Sequence, residues 1–522
     1  YMRCLPSLAI GLLLLSGTAR AQSFGQPGWL SESYLGNMLA LMWAVSGSEK
    51  PCPDLVLGRV EGHAMFDGGK WRVHISLDAA RKFEASFGAN ADDAMADLIG
   101  HEIAHALRGD RPGLRFAHWG DASSKEAERR ADLCGLFLAH MSGYDSALVV
   151  FDRIFPVLGI ASGAGYPDVA ERRTHDQKVV QKSQQLAGLF DFANMLLLTG
   201  DEVAMRHADY LYHHMDADQG FNAGVEFLEL NYSRGLVTLL LAAKDEGMPY
   251  AFPMEVADPS VFPSGRPGLP YVEGNGEMLR KAEAHFDKVL GAAPVLRQIG
   301  DWGRLRNETI FHARLAKVCL HILRSDYSTA EREAQSLASQ HASVPVWKDK
   351  ADMVGAIARL RKNPADQTAR NTLQIIETRS TNTVVKKYAR HNLNVGSPYA
   401  QQITPPPCAA GFLQALPAPK LAGEQARSQA QGVDLDAGAK AWASAPNWVL
   451  KGDRPGFGYV LQAALPCPCV PADLNVLTAW AAGYGQYRLW PIKEKPGSYF
   501  IARADPADKR MLRCFRLTTL QN

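Results

Sequence analysis

The spacing of apolar residues along this chain predicts a mainly helical protein that also contains a few short strands. Residues 34–45 carry apolar side chains at helical intervals, whereas residues 71–77 alternate between apolar and polar side chains, as a half-buried strand does. From residue 91 to about 390, helical patterns follow one another, separated by Gly, Pro and short turns. Further strands are predicted at 459–465, 487–492, 498–503 and 514–520. The expected fold class is therefore α+β, mainly α.

The long helical region shows weak signs of a repeated hairpin. The spacing found in the second helix of a tetratricopeptide unit is matched by Ala282, Phe286, Val289 and Pro294. However, 48 residues separate Ala282 from Ala330, where a similar helix start recurs, against about 34 in a regular repeat. A degenerate, tetratricopeptide-like (TPR-like) array of helical hairpins fits this spacing better than a regular solenoid, and an ordinary helical domain is the alternative.

The first residues have the composition of an export signal. Met2 and Arg3 form a short basic start, residues 8–15 are almost continuously apolar, and residues 19–21 match a small-x-small cleavage site before Gln22. The apolar run is far shorter than the ~20 residues that a membrane-spanning helix needs. We therefore expect an exported protein, periplasmic or secreted, with no integral membrane segment once the signal is removed.

Composition and charge narrow the class of protein. The length of 522 residues exceeds what one hydrophobic core supports, so several domains are expected. The hydrophobic content of 47% and charged content of 21% are ordinary for globular proteins and argue against a disordered or coiled-coil chain. Loss of Arg3 and Arg20 with the signal makes the basic and acidic residues equal in number. A net charge of zero argues against nucleic acid as the main partner.

The cysteines are concentrated towards the end of the chain. Seven remain after signal cleavage, and an exported chain occupies an oxidising compartment in which disulfides form. The group after residue 400 consists of Cys408, Cys467, Cys469 and Cys514. The favoured interpretation of this group is a small module that is stabilised by at least one disulfide. A redox or metal site is the alternative. The odd total leaves a free thiol, for which Cys134 in an apolar helix is the natural candidate.

The strongest chemical signal is the segment His101-Glu-Ile-Ala-His105. Two histidines at positions i and i+4 share one face of a helix, so both imidazoles can bind one metal ion. Glu102 lies beside them and is placed to take a proton from a water molecule on that metal. The spacing therefore predicts a catalytic metal site.

A catalytic zinc site needs a third protein ligand and an open fourth position. The metzincin pattern is excluded, because Arg occupies positions 108 and 111, where that pattern requires Gly and His. Glu128 and Asp132 lie one turn apart on the next predicted helix, so Glu128 can reach the metal while Asp132 accepts a hydrogen bond from a ligand histidine. The apolar run at 133–138 indicates a buried helix, in which carboxylates need partners. A solvated charged helix face is the alternative.

Three motifs together resemble the gluzincin family of the CAAX prenyl proteases, HtpX and the Oma-type peptidases. They are the His-Glu-x-x-His segment at 101–105, the Glu-x-x-Ala-Asp segment at 128–132, and the Gly-Tyr-Asp segment at 143–145. The resemblance covers roughly residues 50–185, about a quarter of the chain. It implies a zincin-type metalloprotease domain.

The resemblance also implies roles for particular residues. One Zn²⁺ per chain would be bound by His101, His105 and Glu128, with Glu102 as the general base. Residues 64–76 resemble the family's strand beside the cleft, against which an extended peptide can lie.

The family has a later His-Pro motif followed by Arg near its active site. The corresponding residues here are Tyr166-Pro167 and Arg172, so that Tyr replaces His. The resemblance thus makes Tyr166 and Arg172 catalytic candidates, with the Tyr166 hydroxyl as a donor to an oxyanion.

These observations predict an exported zinc-dependent endopeptidase that hydrolyses peptide bonds of proteins, with a role in cell-envelope protein quality control. The expected partners are protein or peptide substrates and a protein partner on the helical domain. The alternative is a helical-repeat binding scaffold or chaperone for envelope assembly with a vestigial metal site. The presence of Glu102 favours the enzyme, because a protein that has lost its catalytic activity no longer needs to retain the general base.

The resulting domain organisation has five segments. A linker is indicated by the three prolines at 405–407 and by the Ala-, Gln- and Gly-rich run that ends at Gly432. The predicted segments are a signal peptide at 1–21, a zinc metallopeptidase domain at 22–185, a helical repeat-like domain at 186–395, a linker at 396–435 and a small β-containing C-terminal module at 436–522.

Overall fold

The computed structural model describes most of the chain up to residue 395 and the strands of a sheet beyond it. The described residues are 28–60, 62–110, 116, 118, 122–144, 147–160, 165–198, 202–217, 227–254, 275–300 and 304–395, with the C-terminal strands given below. The fold is mainly helical with little sheet, as the apolar spacing predicted.

The described residues belong to two compact units. The first contains the chain up to Gln184 together with Ala292–Asn307, and the second contains most of the remaining helices and the C-terminal strands. The sequence pattern placed a boundary after residue 185, beside this division, but gave no sign that 292–307 belongs to the first unit. The five-segment organisation stays a prediction.

The first unit contains a three-stranded sheet. Its strands are β1 (Asp54–Gly58), β2 (Ala64–Asp67) and β3 (Arg72–Ser76), in the order β1-β3-β2. β3 pairs parallel with β1 and antiparallel with β2. It corresponds to the strand predicted at 71–77, and its alternation places Val73 and Ile75 in the core.

The helices of the first unit surround a fully enclosed central helix. They are α1 (Glu32–Val45), α2 (Leu77–Phe87), α3 (Ala91–Arg108), α4 (Ala122–Met141), α5 (Ala147–Leu158), the first half of α6 (Val169–Leu198), and α10 (Ala293–Gln298). Every residue of α3 from Ala91 to Ala106 is buried, because α1, α2, α4, α5, β2 and β3 all pack against this helix. Its polar residues are therefore held in a water-poor interior.

Two glycines allow α3 and α4 to approach each other at backbone distance. A Cβ atom on Gly135 in α4 would lie 2.4 Å from the backbone nitrogen of His101, and one on Gly100 in α3 would lie 2.5 Å from the carbonyl oxygen of Gly135. Neither neighbour is a flexible side chain that can move aside. Only residues without a Cβ fit this crossing.

Gly135→Ala is therefore expected to lower the free energy of unfolding by about 1–3 kcal/mol, the usual cost of overpacking a core. The added methyl group forces α4 away from α3, so metal binding by residues on the two helices should weaken as well. Urea unfolding and metal titration measure both effects. Gly36→Ala in α1 is the matched control, because a Cβ there meets no atom within 4 Å and should stabilise the helix by about 0.5–1 kcal/mol. Equal stability of the Gly135 variant and the wild type would contradict the prediction.

The second unit is built from helices that pack against their neighbours in sequence. They are the second half of α6, α7 (Glu202–Ala217), α8 (Leu228–Asp245), α9 (Asn275–Gly291), α11 (Arg304–Leu323, of which the part from Glu308 lies here), α12 (Tyr327–Gln340), α13 (Pro345–Lys362), α14 (Gln367–Arg379) and α15 (Thr383–Leu393). α12, α14 and α15 begin after side-chain caps from Asp326, Asp366 and Asn382. α8 packs with α9, α12 with α13, and α14 with α15.

The described part of the C-terminal region is a six-stranded antiparallel sheet. Its strands are β4 (Asn447–Lys451), β5 (Gly458–Ala464), β6 (Leu477–Thr478), β7 (Gln486–Pro491), β8 (Ser498–Ala504) and β9 (Leu512–Thr519), in the order β4-β5-β9-β8-β7-β6. β5, β7, β8 and β9 lie within two residues of the four predicted strands. β4 and β6 were not predicted.

Several predictions lie outside the described residues: the export signal at 1–21, the linker at 396–435, and Cys408, Cys467 and Cys469. The predicted disulfide among the late cysteines therefore stays a prediction. Cys134 is a free, buried cysteine, in agreement with its predicted free thiol. Within the described part of the chain, no helix has the length and apolar character needed to cross a bilayer.

Candidate metal centre

Three side chains from α3 and α4 converge in the core of the first unit. The Nε2 atoms of His101 and His105 lie 3.1 Å apart. The carboxylate of Glu128 reaches both, with Oε2 at 3.2 Å from His101 Nε2 and Oε1 at 3.3 Å from His105 Nε2. All three side chains are buried. This group can hold a metal ion, since its donor atoms lie within 4.8 Å of one another.

The outer nitrogens of the two histidines each face a carboxylate. Nδ1 of His101 lies 2.9 Å from Oδ1 of Asp132, and Nδ1 of His105 lies 3.0 Å from Oδ2 of Asp110. Because an ionised carboxylate only accepts, each Nδ1 must carry the proton that is donated. Once the second proton is lost, the lone pair of Nε2 on each ring points toward Glu128, and the ring is then the tautomer that a metal ligand requires.

Sequence reasoning identified Asp132 in this role but missed Asp110. α3 ends at Arg108, and the left-handed backbone of the following Gly109 (φ 67°) reverses the chain. The backbone N–H of Asp110 therefore donates to the carbonyl of His105. That reversal brings the Asp110 side chain back to the ring of His105. The available signal was the Gly109-Asp110 pair, four and five residues after His105, because a glycine at this place is typical of a helix C-terminus.

The convergence of two nitrogen lone pairs and a carboxylate strongly favours positive charge at their centre. Burial lowers the pKa of His101, but the carboxylates of Glu128 and Asp132 outweigh it and raise that pKa to about 10. Burial also lowers the pKa of His105. The hydrogen bonds of this ring with Asp110 and Glu128 outweigh burial, so the pKa of His105 lies above its ordinary value. In Glu128, burial raises the pKa, and the neighbouring His101 and His105 outweigh it and lower the pKa. A divalent cation fits this centre because it supplies the required charge.

The metal affinity of this centre should consequently rise with pH. Since the pKa of His101 is about 10 in the metal-free protein, a metal ion must displace a proton at any pH below that value. One displaced proton increases the apparent affinity about tenfold per pH unit. Zinc titrations against a competing chelator at pH 6.5, 7.5 and 8.5 measure this slope. A pH-independent affinity, corrected for the chelator, would show that the prediction is wrong.

Glu102 is fully buried beside the two histidines. Burial raises the pKa of its carboxyl, the charges of His101 and His105 oppose that increase, and the resulting pKa is about 7. The backbone of Phe66 in β2 is near enough to lower this pKa somewhat. Within the described residues, however, neither carboxylate oxygen has a hydrogen bond of ordinary geometry. A buried carboxylate in that state is costly and commonly has a catalytic role.

The second oxygen of Asp132 is held by two residues of α6. Oδ2 lies 2.8 Å from Nε2 of His175 and 3.1 Å from a terminal nitrogen of Arg172. Burial raises the pKa of Asp132, but the charge of Arg172 and the hydrogen bonds from His101 and His175 outweigh it and hold the pKa well below its usual range. Arg172 also pairs with Asp176 through its Nε, at 2.8 Å. His175 was not predicted from the sequence, because a lone histidine on a polar helix carries no specific signal.

Aromatic contacts also connect His101 with Arg172. The ring of His101 packs edge-on against Phe116, which stacks on Phe155. The guanidinium of Arg172 in turn lies 3.4 Å from the centre of the Phe155 ring. The backbone N–H of Phe116 donates to the carbonyl of Ala64 at the edge of β2. His101 is therefore fixed by both a polar and an aromatic route.

The two residues expected from the later motif lie in different places. Arg172 contacts Asp132, as described above. Tyr166 packs edge-on against the ring of His118, 5.3 Å between centres. Among the described residues, no hydrogen bond links Tyr166 to His101, His105 or Glu128. The catalytic roles of Tyr166 and Arg172 stay predictions.

Comparison of the chain with protein-family models, with curated proteins and with solved structures finds no match. The family resemblance therefore rests on the motifs at 101–105, 128–132 and 143–145.

Proposed function

We propose that this chain is a zinc-dependent endopeptidase. The observation that carries the proposal is the position of Glu102 next to the metal-binding group. Glu102 is a buried carboxylate with a pKa of about 7, and it makes no hydrogen bond of ordinary geometry with any described residue. A purely structural metal site has no use for such a group. A hydrolase needs it as a general base.

The donor set supports zinc as the metal. Two imidazoles and one carboxylate are the protein ligands of one class of catalytic zinc sites, which keep a fourth position open. The residues that would hold one Zn²⁺ per chain are His101, His105 and Glu128. When bound, zinc supplies Lewis acidity, which polarises a carbonyl group and makes a water molecule easier to deprotonate.

The other residues of the site have roles in the proposed hydrolysis. Glu102 accepts a proton from the attacking water and delivers it to the nitrogen of the leaving amine, while the new C–O bond replaces the C–N bond. Asp132 and Asp110 hold the imidazoles of His101 and His105 in the tautomer that leaves Nε2 unprotonated. A carboxylate with a pKa near 7 suits both accepting and returning the proton at neutral pH.

The resemblance to the gluzincin family supports a zincin-type domain in the first unit. It also supports residues 64–76, within which β2 forms an edge of the sheet, as a place for an extended substrate. The consecutive pairing of helices in the second unit supports a TPR-like array that binds a protein partner. Export to the periplasm or outside the cell, and a role in envelope protein quality control, follow from the N-terminal pattern and remain parts of the proposal.

Metal analysis and proteolysis of the same preparation test this proposal. The purified protein should contain one zinc per chain and cleave casein or a peptide library, lose cleavage on chelation, and regain it when zinc is added. A preparation with full zinc occupancy that cleaves neither substrate would support a binding scaffold with a vestigial metal site instead.

A further inference from the structure

We propose that His175 is a positioning residue of the metal centre, which orients Asp132 so that Asp132 orients His101. The inference rests on the proposed metal site and extends it to α6, a helix that provides none of the three metal-binding side chains. It concerns the geometry of the centre and does not depend on which peptide bond is cleaved.

The two carboxylate oxygens of Asp132 have different partners. The carboxylate is fully buried, and its Oδ1 accepts the hydrogen bond that fixes the ring of His101. A carboxylate held by one oxygen can still turn about its terminal bond, because that torsion is broad. A second directional contact on Oδ2 removes this freedom and fixes the direction in which Oδ1 points.

Among the described residues, Arg172 and His175 contact Oδ2, and their contacts differ in kind. Arg172 divides its guanidinium between Asp132 and Asp176 and rests on the ring of Phe155. It supplies the charge that keeps Asp132 ionised. His175 lies one turn further along α6 and approaches Oδ2 more closely, at 2.8 Å against 3.1 Å for Arg172.

The direction of the hydrogen bond between His175 and Asp132 defines the role of His175. Oδ2 of an ionised Asp132 can only accept, so Nε2 of His175 donates. His175 and His101 thus both donate to Asp132, one to each carboxylate oxygen. This arrangement leaves Nε2 of His101 available to a metal ion. Removal of the donor at position 175 should loosen Asp132 while leaving its charge paired with Arg172.

Two variants separate orientation from simple loss of packing. His175→Leu fills the space without a donor and should weaken zinc binding by about 10-fold. This is the lower end of the effect of losing a direct partner of a metal ligand, because His175 acts through Asp132. His175→Gln keeps an N–H at a similar reach, so it should restore the affinity to within about threefold of the wild type. Competition with a chelator gives the affinities, and the visible spectrum of the Co²⁺-loaded proteins reports the ligand geometry.

His285→Leu is the matched control. Nδ1 of His285 lies 2.8 Å from the side-chain oxygen of Asn231 in the second unit, so the same substitution removes a comparable contact away from the metal centre. It should leave zinc affinity and the Co²⁺ spectrum unchanged. Thermal unfolding of all variants shows whether each one folds.

The outcomes distinguish this inference from the proposed function. Wild-type affinity in His175→Leu, or an equal loss in the Leu and Gln variants with both folded, would overturn the role of His175 and leave the protease proposal intact. Zinc binding that follows the expected order in a wild-type protein that cleaves nothing would support His175 and overturn the protease. A wild-type protein that binds no zinc would overturn both.

Discussion

Glu102→Gln is expected to lower peptide-bond cleavage by about 10²–10⁴-fold, the usual contribution of a general base. The amide keeps the size of the carboxylate but cannot accept the proton of the attacking water. Because Glu102 does not belong to the metal-binding group of His101, His105 and Glu128, zinc should remain bound. Because the Glu102 carboxylate makes no hydrogen bond of ordinary geometry with the described residues, its replacement by an amide should also leave the fold intact.

The measurement is kcat/KM on casein-derived peptides, with zinc content determined on the same samples. Glu126→Gln is the matched control, since Glu126 is exposed on α4 and pairs only loosely with Arg130, at 3.9 Å. It should retain full activity. If zinc-loaded Glu102→Gln cleaved as fast as the wild type, the protease mechanism would fail. An inactive, zinc-loaded variant that still binds substrate would act as a trap for identifying that substrate.

Glu128→Ala should weaken zinc binding by more than ~100-fold, beyond the range typical of losing an outer-shell partner. The substitution removes the only carboxylate among the three converging groups and leaves two imidazoles without an anionic donor. It also removes a charge that raises the pKa of His101, so the metal-free variant should hold its proton less tightly. Cleavage should be lost together with the metal.

Glu126→Ala tests the assignment within the same helix. Glu126 and Glu128 are two residues apart on α4 and therefore face different directions, one exposed and one buried. Glu126→Ala should bind zinc as the wild type does. The opposite result, in which Glu126→Ala loses zinc and Glu128→Ala retains it, would show that α4 presents another face to α3. Glu128→Gln, which conserves volume, separates loss of the donor from any loss of folding.

Local spacing along the chain was sufficient to predict much of the site. His101, Glu102 and His105 follow from the 3.6-residue period of one helix, and Glu128 and Asp132 follow from the same period in the next. A helix imposes these relations whatever surrounds it. For the same reason the strand at β3 was predictable from alternation, since side-chain alternation is a property of a single strand.

Local spacing along the chain does not predict whether the faces of α3 and α4 that carry these residues meet. Their meeting depends on the approach of Gly100 to Gly135, which are 35 positions apart in sequence, and no periodicity links them. The same holds for His175, which reaches Asp132 from a third helix.

Local spacing therefore predicts which side chains share a helix face and which residue types are available for metal and proton chemistry. The packing of α3, α4 and α6, which directs those faces to one place and adds the hydrogen bonds of Asp110 and His175, is known from the fold alone. The physical reason is that local backbone geometry orders neighbours within one element, whereas contacts between distant elements depend on how side chains of all of them fill a common core.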